Sequence, residues 1–266
     1  MLEAGFGLAG KVVLVTGAGG PGVGRAIAMA FAQAGARVAV NDVSAAGLQE
    51  TLEQLRASGA TAYAEVGDIT DAQQMLQLEA NVVKALGAID VLVNNAAVMT
   101  EVKQFAEVDP AAWERDIRIG LIGTMCCTHA VLPGMLARRQ GVIVNIASDA
   151  GRAGNGNVVG YSSAKGGVIA FTKALAQEVG PAGIRVNAVS PGSVRAPMRD
   201  QVLRDIEERL GASAVDEREA LRTALIPLRR VAEPEDIAWP TVFFASPLAR
   251  HVTGQVLSVN GGFRMY

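Results

Sequence analysis

A chain of 266 residues exceeds the usual single-domain size, yet doubly wound sheets of this length commonly form one domain around one core. Half of the residues are hydrophobic and 19% are charged, and the net charge of -2 supplies no basic stripe for a phosphate backbone, so nucleic acid is not an expected partner. The apolar runs at 12–15 and 142–146 are only strand-length, so no membrane span is expected, and the low charge content points to surface buried between copies of the chain.

The stretch 1–10 carries Glu3 and no basic cluster ahead of a long apolar segment, so it does not read as a secretory signal. Cys126 and Cys127 are adjacent in a helical pattern, which is poor geometry for mutual pairing and leaves no disulfide framework. A cytoplasmic, reducing location is the expectation.

Along the chain, an apolar strand at 11–16 runs into a glycine-rich turn with Gly17, Gly19, Gly22 and Gly24, and a helix is predicted over 23–34. Glycines let backbone approach a pyrophosphate, whose charge then sits at the positive end of the helix. A second strand at 37–41 ends at Asp42, 18 residues after Gly24. An acidic side chain there can accept from both adenosine ribose hydroxyls and repel a 2′-phosphate, which favours NAD over NADP. Ser44 is the better cap for the next helix, 45–58. The third strand, 61–66, precedes Asp68, which can accept from an adenine amino group, while Asp71 or Thr70 caps a helix over 71–86.

The fourth strand, 89–94, closes on Asn94-Asn95-Ala96-Ala97, and one long helix is predicted over 110–138. The fifth strand, 141–147, ends at Ser148, and a helix over 158–179 carries Tyr161 and Lys165. The sixth strand, 184–189, leads to Pro191-Gly192 and then to an Arg-, Asp- and Glu-rich insertion over 193–230, read as a lid with one or two short helices. A helix over 234–245 and a strand over 256–259 complete the pattern. Strict alternation implies a parallel sheet covered on both faces, with ligands at the carboxyl ends of its strands.

Tyr161 and Lys165 are four residues apart and share a helical face. A phenol titrates near pH ~10 in water, and a nearby cation would stabilise its phenolate enough for proton exchange with an alcohol at neutral pH. Ser148 adds a hydroxyl donor where a carbonyl oxygen would gain charge.

These motifs, with Thr253-Gly254-Gln255 and Asn260-Gly261-Gly262 near the end, resemble those of the short-chain dehydrogenase/reductase family over almost the whole chain. The resemblance implies a Rossmann-like, doubly wound, seven-stranded parallel sheet with helices on both faces in a single domain, binding a nicotinamide cofactor and assembling as a dimer or tetramer across the long helices. It makes Tyr161 the general acid/base, Ser148 the residue that hydrogen-bonds the substrate oxygen, and Lys165 the cation that acidifies the phenol and binds the nicotinamide ribose. The cofactor surface it implies comprises Gly17, Gly19, Gly22, Val23, Gly24, Asp42, Asp68, Ile69, Asn95, Ala96, Ala97, Tyr161, Lys165, Pro191, Gly192 and Val194. Asn94 is implied to hold neighbouring strands together.

Three positions depart from that pattern. Four residues instead of three separate Gly17 from Gly22, which predicts a bulged phosphate loop; Gly120 stands where the family places a catalytic asparagine; and Ala196 stands where a threonine usually bonds the nicotinamide carboxamide. His129 and His251 have no ligand-spaced partners, so no metal is expected. Arg152, Arg195 and Arg199 are candidates to receive an anionic substrate group. The expected activity is hydride transfer between NAD and a secondary alcohol, alicyclic or aromatic. The alternatives are an NADPH-dependent reductase of 3-oxoacyl thioesters, or a dinucleotide-binding protein without catalysis.

Overall fold

The computed structural model describes residues 3–266 and begins with a short helix, α1 (Glu3–Phe6); Met1 and Leu2 of the N-terminal stretch lie outside the described residues. Seven parallel strands form one sheet in the order β3-β2-β1-β4-β5-β6-β7. They are β1 (Val12–Thr16), β2 (Arg37–Asp42), β3 (Ala62–Val66), β4 (Val91–Asn94), β5 (Gly141–Ile146), β6 (Ile184–Pro191) and β7 (Val256–Val259). Successive strand residues point to opposite faces, and the sequence supplies apolar side chains at both parities. Val13 and Val15 therefore face α2 (Val23–Gln33), α3 (Ala45–Ala57) and α11 (Pro234–Ala245). Val12 and Leu14 face α4 (Ala72–Leu86), α6 (Thr124–Arg138) and α8 (Val159–Val179).

Chain order reverses between β1 and β4, which are neighbours in the sheet, so the crevice for a ligand opens at their carboxyl ends. The predicted caps are in place there: Ser44 accepts from Gly47 N at the start of α3, and Asp71, not Thr70, accepts from Gln73 N and Gln74 N at the start of α4. Asn94 Nδ2 donates to Asn145 Oδ1 at 2.9 Å and to Thr128 at 3.0 Å, tying β4 to β5 and α6.

The single helix expected over 110–138 is three segments. α5 (Pro110–Ile117) passes into a π-helical turn, Arg118–Gly123, before α6 begins. The extra residue per turn is accommodated at Gly120 and Gly123, whose missing side chains let the widened backbone pack against Ala164 and Ile69. The run Pro110–Arg138 is also long and apolar enough, by length and composition, to cross a membrane, contrary to the expectation from strand-length runs. In the fold 44% of its most apolar stretch is buried, and Cys127, Val131 and Met135 pack on the sheet as core residues. After β5 a short helix absent from the sequence reading, α7 (Asp149–Ala153), begins directly behind Ser148. The insertion after β6 folds as a hairpin of two helices, α9 (Pro197–Leu210) and α10 (Ala212–Leu225).

Candidate active site at the carboxyl ends of the strands

A cavity of about 1360 Å³ lies over the carboxyl ends of the strands and is lined by the glycine turn, Asp42, Asp68, Ile69, Asn95, Ala96, Ala97, Ser148, Tyr161, Lys165, Pro191, Gly192 and Val194. Its size exceeds the 300 to 1,000 Å³ typical of single-ligand pockets, consistent with a cofactor and a substrate side by side. Every expected catalytic and cofactor residue borders it.

The glycine turn is built for close approach. Gly17 has φ +67°, and a Cβ there would sit 2.6 Å from Ala96 Cα; a Cβ on Gly24 would fall 2.2 Å from the Gly17 carbonyl oxygen. The predicted bulge is taken up at Gly19 and Gly20, with Gly22 N donating to Gly20 O at 2.8 Å. Gly19 N donates to Asp42 Oδ2 at 2.8 Å, and Arg25 donates to Gly19 O, Gly47 O and Thr51 Oγ1, lashing the turn to α3. Asn95 Nδ2 clasps it from β4, donating to Thr16 O and Gly17 O. Gly22 caps α2 with no side-chain acceptor, so the first amides of that helix border the cavity with their donors free for an anion. This cradle fits the pyrophosphate of a dinucleotide.

Asp42 Oδ1 also accepts from Ser44 N at 2.9 Å, so the carboxylate organises both the turn and the start of α3 while lining the cavity. Asp68 is exposed, accepts from Thr70 N at 2.8 Å and borders the same cleft.

The proton-transfer group is assembled from β5 and α8. Tyr161 bonds Ser148, and Lys165 Nζ lies 5.9 Å from the centre of the Tyr161 ring. The ammonium donates to Ile146 O at 2.7 Å, and burial lowers its pKa to about 8. The sequence reading expected Lys165 to acidify the phenol. The protein's own groups instead hold it above its ordinary value: burial raises it most, the Ser148 hydrogen bond opposes this, and the charge of Asp116 adds to the rise.

Asp116 was not anticipated. It is buried on α5, accepts from Thr100 N at 2.9 Å and Thr100 Oγ1 at 2.8 Å, and lies against Gly160, the residue before Tyr161. The signal was legible: Asp116 precedes Gly120 by four residues and so lies on the face that the family's missing asparagine would occupy. Gly120 O accepts from Thr124 Oγ1 at 3.1 Å, and a Cβ at Gly120 would meet Ala164 Cβ at 3.1 Å.

Ala196 is the N-cap of α9 and offers no side-chain acceptor, while its Cβ lies above Gly22. Ala196→Thr is expected to do two things. An N-cap hydroxyl is worth ~1 kcal/mol, raising Tm by about 2 to 4 °C in a chain of this size. A restored hydroxyl contact to the carboxamide would tighten NADH by about 2- to 10-fold. Thermal unfolding and NADH titration read the two separately; a Tm gain without an affinity gain would leave residue 196 a cap only.

The arginines divide differently from expectation. Arg152 does not reach the cavity: it donates to Val256 O at 3.1 Å and Ser258 Oγ at 2.7 Å and covers the Tyr266 ring at 4.0 Å, because α7 turns it toward β7. Arg195 pairs with Glu233 on the outer surface. Arg199 lines the cavity, as do Arg115, Arg118, Arg218, Arg222 and Arg264, which the sequence reading did not single out. The spacing of Arg218 and Arg222, four apart on one helix, was the available clue.

A family model described as enoyl-(acyl carrier protein) reductase matches residues 17–264. The chain is 36% identical over 261 residues to the (2S)-[(R)-hydroxy(phenyl)methyl]succinyl-CoA dehydrogenase subunit BbsD of Thauera aromatica, covering 98% of this chain and 99% of that one. It is 36% identical over 255 residues to the 3-oxoacyl-[acyl-carrier-protein] reductase FabG of Thermotoga maritima, covering 96% and 98%. The crystal structure of an actinorhodin polyketide ketoreductase variant with NADPH superposes with a TM-score of 0.90 at 37% identity, over 96% of this chain and 98% of the other. A glycine turn at the β1 to β4 crevice, a serine, tyrosine and lysine on one cleft, and matches of this length establish the chain as an oxidoreductase of the short-chain dehydrogenase/reductase family.

Proposed function

We propose that the protein is an NAD-dependent dehydrogenase acting on a secondary alcohol, alicyclic or aromatic, and on the corresponding ketone in reverse. The observation that carries this reading is the convergence of Ser148, Tyr161 and Lys165 on the cavity that also holds the glycine cradle. Ser148 donates to the substrate oxygen and orients the carbinol toward Tyr161. The Tyr161 oxygen takes the hydroxyl proton as the alcohol is oxidised and returns it in reduction. Below about pH 8 Lys165 is charged, which favours the phenolate and provides donors for ribose hydroxyls. NAD, when bound, supplies the acceptor for the hydride that leaves the carbinol carbon. Asp42, standing where the ribose would lie, supports NAD over NADP.

The test is spectrophotometric: NADH formation across a panel of secondary alcohols. Binding of NADH without turnover on any of them would favour the non-catalytic alternative. A second reading, reduction of 3-oxoacyl thioesters with NADPH, is favoured by the likeness to a 3-oxoacyl-carrier-protein reductase and to a ketoreductase solved with NADPH. Side-by-side kcat/KM values for NADH and NADPH separate the two.

Asp116 makes a further expectation for this chemistry. Its charge raises the Tyr161 pKa, so Asp116→Asn, which keeps an acceptor for Thr100, should lower that pKa and move the acid limb of the pH profile for alcohol oxidation to lower pH. An unmoved limb in kcat/KM would show that the charge does not reach the phenol.

We further propose a cytoplasmic homo-oligomer, dimer or tetramer. Ile122, Met125 and Leu136 are exposed along the run Pro110–Arg138, and a second copy covering them would account for an apolar helix that the fold only half buries.

A further inference from the structure

The hairpin of α9 and α10 borders the cavity with Met198, Val202, Leu203 and Ile206 and with a cluster of guanidinium groups. Arg199, Arg218, Arg222 and Arg264 border the cavity with Glu219 as the acidic side chain among them. Arg199 is paired with Glu219 and also donates to Ser193 Oγ. Among the described residues, Arg218 and Arg222 form no ion pair, although they lie one helical turn apart on α10. Like charges at that spacing repel. Arg222 is partly buried, its guanidinium 5.7 Å from the centre of the Phe263 ring, and Arg264 approaches the same ring at 5.5 Å. Burial and the charge of Arg218 lower the Arg222 pKa; burial and the charges of Arg195, Arg222 and Arg218 lower that of Arg199 against the opposing charge of Asp200. Glu219 and Asp200 offset Arg199 and Asp149 faces Arg264, whereas Arg222 meets only the like charge of Arg218, so that pair is under-neutralised and an oxyanion is the ligand that relieves it.

We propose that Arg218 and Arg222, with Arg199 and Arg264 beside them, form an anion subsite that holds a carboxylate or phosphate on the substrate, at the end remote from the carbinol. The proposal rests on the dehydrogenase reading for the word substrate, but the subsite itself does not require turnover. A planar guanidinium pair suits a two-oxygen group held bidentately, and Phe263 offers an apolar floor for the carbon chain leading to it. The substrate class is then an alcohol bearing an acidic tail: a hydroxy acid if the anion is a carboxylate, or a phosphate-bearing thioester carrier if it is a phosphate.

Calorimetric titration of the full chain, saturated with NADH to block the dinucleotide cleft, tests this with two probes, glutarate for a carboxylate and coenzyme A for phosphates. At least one probe is expected to bind, weakening with added salt, and to bind at least tenfold more weakly to the Arg218→Gln/Arg222→Gln variant. The Arg218→Lys/Arg222→Lys variant keeps the charge and should recover part of the affinity, which a misfolded hairpin would not. Binding of glutarate alone names a carboxylate, and of coenzyme A alone a phosphate. Failure of both probes, or equal binding to wild type and the Gln variant, overturns the subsite. Turnover of neutral alcohols without anion binding would overturn the subsite alone, whereas arginine-dependent binding without NADH formation from any alcohol would overturn only the dehydrogenase reading.

Discussion

Replacing Tyr161 with phenylalanine is expected to lower kcat by roughly 10³-fold, the middle of the range for loss of a positioned proton-transfer group. The substitution removes one oxygen and keeps the ring, so packing on α8 and the 5.9 Å approach of Lys165 to the ring centre have no reason to change. Cofactor affinity should stay within about twofold of wild type, because the turn that cradles pyrophosphate is held by Asp42, Arg25 and Asn95 and not by the phenol. Steady-state kinetics paired with an NADH fluorescence titration checks both halves. A variant within tenfold of wild-type kcat would mean that another group carries the proton, and Ser148 would be the first to examine.

The second large effect concerns the cofactor. Wild type should prefer NAD over NADP by about 100-fold in kcat/KM. A 2′-phosphate placed about 4 Å from a carboxylate would cost roughly 4 kcal/mol per unit charge at an effective dielectric of 20, and solvent at the partly open cleft reduces this to about 2 to 3 kcal/mol. Asp42→Asn should cut the preference at least tenfold, mostly by improving NADP. The change is not free of structural consequence, since an amide can offer one oxygen where the carboxylate now serves Gly19 N and Ser44 N with two. Some loss of NAD affinity is therefore expected alongside the gain in NADP. If the variant lost NAD and NADP affinity equally, Asp42 would be a builder of the turn and not a selector of the ribose.

Much of this architecture was readable from residue order alone. The β-branched runs fixed seven strands because in a parallel sheet both faces must be apolar, and the observed bounds differ from the predicted ones by at most two residues at either end. Ser44 and Asp71 were legible as caps because capping is local. The glycine cradle and the serine, tyrosine and lysine were found by spacing, and each borders the cavity. What escaped was tertiary. The π turn at Arg118–Gly123 depends on which glycine backbones can crowd Ala164 and Ile69, a fact invisible along the chain. Arg152 pointed away because the short α7 rotated it onto β7, and Arg218, Arg222 and Arg264 reached the cleft only because the α9 and α10 hairpin folds back over it. The direction of the Tyr161 shift was misjudged for a related reason: proximity of a cation was legible at i and i+4, whereas burial and the charge of Asp116 were not.

The stitched glycine turn bears on how the protein handles successive ligands. A loop whose amides and carbonyls are already committed to Asp42, Arg25, Asn95 and Thr51 has little disorder left to lose when a dinucleotide arrives, so association should be governed by diffusion and charge, with no slow folding of the cradle. Spent cofactor can then leave and fresh cofactor enter a socket of unchanged shape.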